Sequence, residues 1–160
     1  MRIVVRLLLA WFAFFGLTLG LWQGLFPASF YADFPGLGRH WVSPDGPYNE
    51  HLMRDVGQGN LAVGTVALVA LLTGVVWLAR AVGLAAVAAN VPHHLYHQAN
   101  VSILPGHADQ VLQSLTLSAV TVAAIALALL AFRLPAEPPA IARRTVPASS
   151  APTHATRSRS

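Results

Sequence analysis

Residues Leu7 to Phe26 read LLLAWFAFFGLTLGLWQGLF, twenty in a row without a charge, with Arg2 and Arg6 just ahead of them. At about 1.5 Å of rise per residue, a helix of that length reaches roughly 30 Å, the thickness of a bilayer's hydrocarbon core. The rival reading is a cleaved secretory signal, whose apolar stretch usually covers about 7–15 residues and closes on a small-residue cleavage site. This block is longer, rich in Trp and Phe, and closes on Phe26-Pro27. It reads as a membrane span.

Working outward, three further apolar stretches follow. The pattern predicts an all-α, four-helix transmembrane bundle with spans at about 7–26, 55–78, 81–104 and 111–132. Between the first two lies a loop from Pro27 to about Pro47, with turn signals at Pro35-Gly36 and Pro44-Asp45-Gly46-Pro47. Its aromatics Phe30, Tyr31, Phe34, Trp41 and Tyr48 suit the headgroup layer, so the loop is expected to hug the membrane. The second span is expected to stop at Arg80 and the third to follow at once. Pro105 to Gln110 makes a short turn, and 134–160, made of Pro, Ala, Ser, Thr and Arg, is expected to be a disordered basic tail.

Composition agrees: 55% of residues are hydrophobic and 10% charged, against about 25% charged in an ordinary soluble domain. The absence of cysteine excludes disulfides, thiolate metal sites and cysteine nucleophiles. All ten basic residues are arginine, which reads as a high-GC coding bias and a bacterial source. Eight of them (Arg2, Arg6, Arg80, Arg133, Arg143, Arg144, Arg157 and Arg159) fall on one side of the predicted spans. The other side holds Arg39 and Arg54 with Asp33, Asp45, Glu50, Asp55 and Asp109. The arginine-rich side is cytoplasmic by the positive-inside rule, which places both termini inside the plasma membrane. The basic balance then serves topology rather than nucleic acid, and the expected partners are the lipid bilayer and a second copy or another membrane protein.

Gly16, Gly20 and Gly24 share one face of the first span, and Ser114, Ser118 and Thr121 form a similar stripe on the fourth. In lipid, such small residues let helix backbones approach closely, so packing is their expected role.

The third span is unusual. Asn90, His93, His94, His97 and Asn100 fall within about 120° of arc at 100° per residue. A polar stripe of that kind is costly against lipid and should face the bundle or a water-filled cavity, and Pro92 within it invites a kink. His51, Asp55 and Gln58 make a shorter polar match near the outer end of span two. A turn at Arg80 would set Asp55 roughly 13 Å nearer the outside than His97. Together these residues predict a polar track open to the outer side.

His93 and His97, at i,i+4, could place two imidazoles on a metal, but spans one and four offer no His, Asp or Glu to complete the set. A haem needs an axial histidine from a second helix, and a quinone needs only a donor such as His94 or His97. The plainer alternative is that the polar groups bond one another and fix the packing. No phosphate loop, G-x-S-x-G or H-E-x-x-H motif is present. The chain reads as a non-enzymatic membrane component with a histidine-lined interior. Its alternative is a redox-linked or ligand-binding subunit holding metal, haem or quinone on His93, His94 and His97.

The stretches Phe30–Gly36, Arg39–His51 and Pro92–His97 resemble a family of small four-span bacterial membrane proteins, whose layout is similar to that of DoxX-like proteins. The resemblance covers about residues 5–132. It implies a four-helix membrane bundle, brings no agreed mechanism, and through redox-linked DoxX-like relatives favours a quinone or redox role slightly.

Overall fold

Helix α1 (Arg2–Leu25) carries the opening apolar block. In the computed structural model, which describes residues 2–135, the block is helical from Leu7 through Leu25. Pro27 then starts a short helix, α2 (Pro27–Asp33), from its first turn, where a missing N–H costs nothing. Strands β1 (Pro35–Gly36) and β2 (Arg39–His40) pair antiparallel, Pro35 opposite His40 and Gly36 opposite Arg39. The predicted loop is thus largely ordered, and its hairpin is a small departure from an all-α chain. A 3-10 turn at Ser43–Asp45 leads to α3 (Glu50–Thr73), whose N-cap Asn49 accepts from Leu52 N at 3.1 Å. Helix α4 (Val76–Ala99), a 3-10 turn at Val101–Ile103 and α5 (His107–Phe132) complete the described chain. The predicted tail, apart from Leu134 and Pro135, lies outside the described residues.

One expectation is corrected. Helix α3 ends at Thr73 rather than near Arg80, because Gly74 takes the left-handed conformation (φ 69°) and returns its N–H to Ala70 O. Arg80 therefore sits inside α4, where its guanidinium donates to Ala131 O at 3.2 Å and Leu134 O at 2.7 Å. It caps the end of α5 instead of marking a turn. The depth pairing shifts with the turn: facing residues of α3 and α4 sum to about 149, so His94 is level with Asp55 and His93 with Val56. Among the described residues three helices, α1, α3 and α5, are long and apolar enough to cross a membrane. Helix α4 equals α3 in length, but Arg80, Asn90 and three histidines dilute its apolar character. It runs unbroken through Pro92.

The helices pack as two close pairs, α1 with α3 and α4 with α5. A Cβ at Gly16 would lie 2.7 Å from Gly64 Cα, and one at Gly20 would lie 2.8 Å from Gly57 O. In the second pair, a Cβ at Gly83 would lie 2.7 Å from Ala128 Cα. Gly16 and Gly20 therefore have the packing role the sequence assigns them. At Gly24 a Cβ would meet nothing within 4 Å.

The shared core joins Val5, Leu9 and Phe12 to Ala67, Ala70, Val82, Ala86, Ala124 and Leu127. All lie toward the end that carries Arg2, the Gly74–Val75 turn and Leu134, here the terminal end. Toward the opposite, loop end this common core stops. His93 lies within about 40° of Ala79 around α4, on the face that Ala79, Val82, Gly83 and Ala86 bury, yet it is exposed. Val56, level with it and on the same side of α3 as Ala67, is 44% exposed. The α3–α4 seam is closed at the terminal end and open at the loop end. Leu7, Phe14, Leu21, Leu72, Val122 and Leu129 stand exposed on the outside, a pattern compatible with a membrane protein.

Candidate functional site: a polar clasp at the loop end

Four segments distant in sequence meet above the open seam. Asp109, in the first turn of α5, accepts from Arg39 Nη1 and from Trp41 Nε1, the latter at 2.9 Å, both on Oδ1. A carboxylate at a helix N-terminus also answers the positive end of the helix dipole. Trp41 is itself buried and packs edge-on against Phe34 at 6.1 Å between ring centres. Phe34 stacks on Phe30, which meets Trp22 of α1 edge-on at 5.3 Å. The aromatic residues of the loop thus form one layer leading from α1 to the α5 carboxylate.

A second tie links the loop to α4. Tyr96 donates its hydroxyl to Asp45 Oδ1 at 3.2 Å. Asp45 is held beneath it by the Ser43–Asp45 turn, whose neighbour Gly46 offers its carbonyl to Tyr31 OH at 2.7 Å. Trp41, Asp45, His97, Asn100 and Gln113 border a cavity of about 10 Å³, room for a single water at most.

The predicted histidine stripe is brought to this end and divided there. His94 Nδ1 bonds Thr121 Oγ1 across the α4–α5 interface at 3.0 Å, so one member of the Ser114–Ser118–Thr121 stripe works as a polar tie. His93 and His97 meet edge-on at 4.6 Å between ring centres, with Tyr96 against His97 at 5.2 Å. Asn90 and Asn100 each donate back along their own helix, to Ala86 O and Tyr96 O, both at 2.8 Å. Such bonds satisfy the amide without a partner helix.

The α3 half of the track stays apart. His51 Nε2 stands 3.4 Å from Asp55 Oδ2 on the exposed start of α3, and Gln58 is exposed. Asp55 is level with His94 but lies beside His51 of its own helix. Among the described residues, no three His, Asp or Glu side chains converge on a point where they could hold a metal ion.

Sequence reasoning missed several members of the clasp. Asp109 and Arg39 read as turn and loop charges, although their bond spans seventy positions. Buried Gln23 and its partner Asn60, which donates to Gln23 Oε1 at 2.7 Å, also went unread. Gln23 is the one amide in the opening apolar block. In lipid a lone amide needs a partner, and that was the available signal. The Glu50–Arg54 pair is more than a surface salt bridge: Arg54 also donates to Gly24 O and ties the start of α3 to the end of α1.

No family model, no curated protein and no solved structure matches the chain. The site is therefore read on its own chemistry.

Proposed function

We propose that the chain is a four-span integral membrane protein of the bacterial plasma membrane with both termini in the cytoplasm. In this reading it is a non-enzymatic membrane component whose polar, histidine-bearing interior holds the helices and outer loop in one arrangement. The same proposal sets it beside DoxX-like four-span proteins, on the stretches quoted above.

One observation carries the structural role. Several polar groups at the loop end spend their hydrogen bonds on one another: Asp109 on Arg39 and Trp41, Asp45 on Tyr96, His94 on Thr121. The cavity among them, about 10 Å³, is far below the roughly 300 Å³ at which small-molecule sites begin. Orientation is supported by Arg2, Arg6, Arg80 and Arg133 gathering at the terminal end. Helix α4 counts as the fourth span because its 24 residues match α3 and Arg80, Asn90 and His94 have hydrogen-bond partners within the protein.

Elemental analysis and an optical spectrum of the detergent-purified chain test the role. We expect neither a Soret band nor a stoichiometric metal nor co-purifying quinone. Any of these would overturn the reading in favour of a cofactor-binding subunit built on His93, His94 and His97. A reporter fused after Ser160 tests the orientation: it should be active in the cytoplasm, and activity confined to the outside refutes the topology.

A further inference from the structure

At the terminal end, α1, the α3–α4 turn and the end of α5 leave a cavity of about 290 Å³ between them. Its floor is the buried core, Val5 and Leu9 of α1 with Ala70 and Ala79, and its accessible apolar wall is Val75, Val76 and Trp77. The mouth carries Arg2 and Arg6, one helical turn apart. Among the described residues neither guanidinium has a carboxylate or hydrogen-bond partner. Arg80, by contrast, is committed to the carbonyls of Ala131 and Leu134 and lies over the Trp77 ring at 4.7 Å.

We propose that this cavity binds the phosphate of an anionic phospholipid, with the glycerol and first acyl carbons against Val75 and Val76. Two guanidiniums separated by one turn present forked donors that match a phosphodiester's oxygens. The positive end of the α1 dipole adds about half a charge, which offsets the opposite half-charge at the end of α3, and the two full arginine charges remain. The volume is near the lower bound for a small-molecule site, enough for a headgroup and not for a whole lipid. Basic pockets between helices at a cytoplasmic membrane face take lipid headgroups by this combination of charge and apolar wall. The inference rests on the membrane reading but not on the role given to the histidines.

The test uses the full chain reconstituted in vesicles of phosphatidylcholine and phosphatidylglycerol in equal amounts. The protein is extracted in mild detergent, and retained lipid is read by native mass spectrometry. The wild-type chain should keep phosphatidylglycerol and shed phosphatidylcholine. The double variant Arg2→Gln/Arg6→Gln should lose retention about thirty-fold, the electrostatic contribution of two arginines at a membrane surface. Val75→Trp fills the cavity without touching charge and should lose retention as well. Retention by Val75→Trp at the wild-type level would reduce the effect to surface charge and overturn the site. Displacement of the lipid by inorganic phosphate would assign the cavity to the free ion, a lipid-free dimer would assign it to a second copy, and a lipid-free wild-type monomer would end the proposal. Resistance to alkaline extraction, measured on the same samples, reports membrane insertion separately. If the arginine variant inserts poorly, retention by Val75→Trp alone decides between site and surface charge.

Discussion

Replacing Gly64 with alanine loads the α1–α3 seam at its tightest point. The new methyl would stand 2.7 Å from Leu17 N and 2.8 Å from the Gly16 carbonyl carbon, whereas carbon contacts are comfortable at roughly 3.5–4.0 Å. Both neighbours are backbone atoms of the facing helix, so no change of rotamer removes them, and the helices must part by about 1 Å. A gap of that size forfeits up to half of each contact's attraction of about 0.1–0.2 kcal/mol. If the seam holds about as many atom pairs as one buried leucine, some 40–60, the loss is about 3 kcal/mol, at the top of the usual range for overpacking. Alanine's better helix propensity returns up to about 1 kcal/mol, leaving a net cost of about 2 kcal/mol. Gly59→Ala is the matched control on the same helix: a Cβ there meets nothing within 4 Å, so the change should be neutral or stabilising by up to about 1 kcal/mol. The assay is unfolding in mixed micelles by added dodecyl sulfate, followed by circular dichroism. Equal midpoints for the two variants would refute close backbone approach as the basis of this pair.

Three further outcomes follow from named contacts. Arg39→Gln and Asp109→Asn should each speed proteolysis of the loop between Phe34 and Tyr48, and the double variant should be no faster than Asp109→Asn alone, which weakens the bonds from both Arg39 and Trp41. Gln23→Leu should cost about 1 kcal/mol in the same micellar titration, and adding Asn60→Leu should recover part of it by removing the stranded amide. Arg80→Gln should destabilise by about 1–2 kcal/mol by stripping the carbonyls of Ala131 and Leu134 of a charged donor. An unchanged midpoint there would mean that water caps α5 as well as the arginine does.

The long helices were legible because a run such as Leu7–Phe26 has one stable form in lipid. Gly16 and Gly20 were legible as packing residues because small residues at that spacing act locally along one helix. The α3–α4 turn was misplaced because Arg80 looked like a stop, whereas the break depends on the single left-handed residue Gly74. Glycine at 74 looks no different in sequence from Gly57, Gly59 or Gly64, which lie inside α3. The clasp was illegible for another reason. Its bonds join residues about 50–70 positions apart, and nothing in the spacing of Arg39, Trp41 or Tyr96 records which carboxylate each will meet. The histidine stripe was read correctly as one face of a helix. Its partition into a tie to Thr121 and an open pair at His93 and His97 depends on where α5 packs and where α3 departs.

On the proposed four-span reading, that partition bears on how α4 enters a bilayer. Arg80 lies one turn inside the start of α4, where an arginine costs less than the about 2.5–3.5 kcal/mol of a helix centre, and the histidines add to the burden. Within the folded chain α5 relieves much of it. Its terminal carbonyls take the Arg80 guanidinium, Phe132 lies against that guanidinium at 5.3 Å, and Thr121 takes His94. Helix α4 should therefore insert stably only with α5 beside it. The chain has no cysteine, so Ser102→Cys supplies a single label at the connection after α4. In the full chain this thiol should react with a membrane-impermeant maleimide from outside intact cells. In a chain ending at Gln110, which keeps α4 and removes nearly all of α5, labelling should fall several-fold as α4 slips from its spanning position. Equal labelling of the two chains would mean that α4 crosses on its own apolar content, and the hydrogen bonds from Arg80 and His94 to α5 would then be a consequence of insertion rather than its condition.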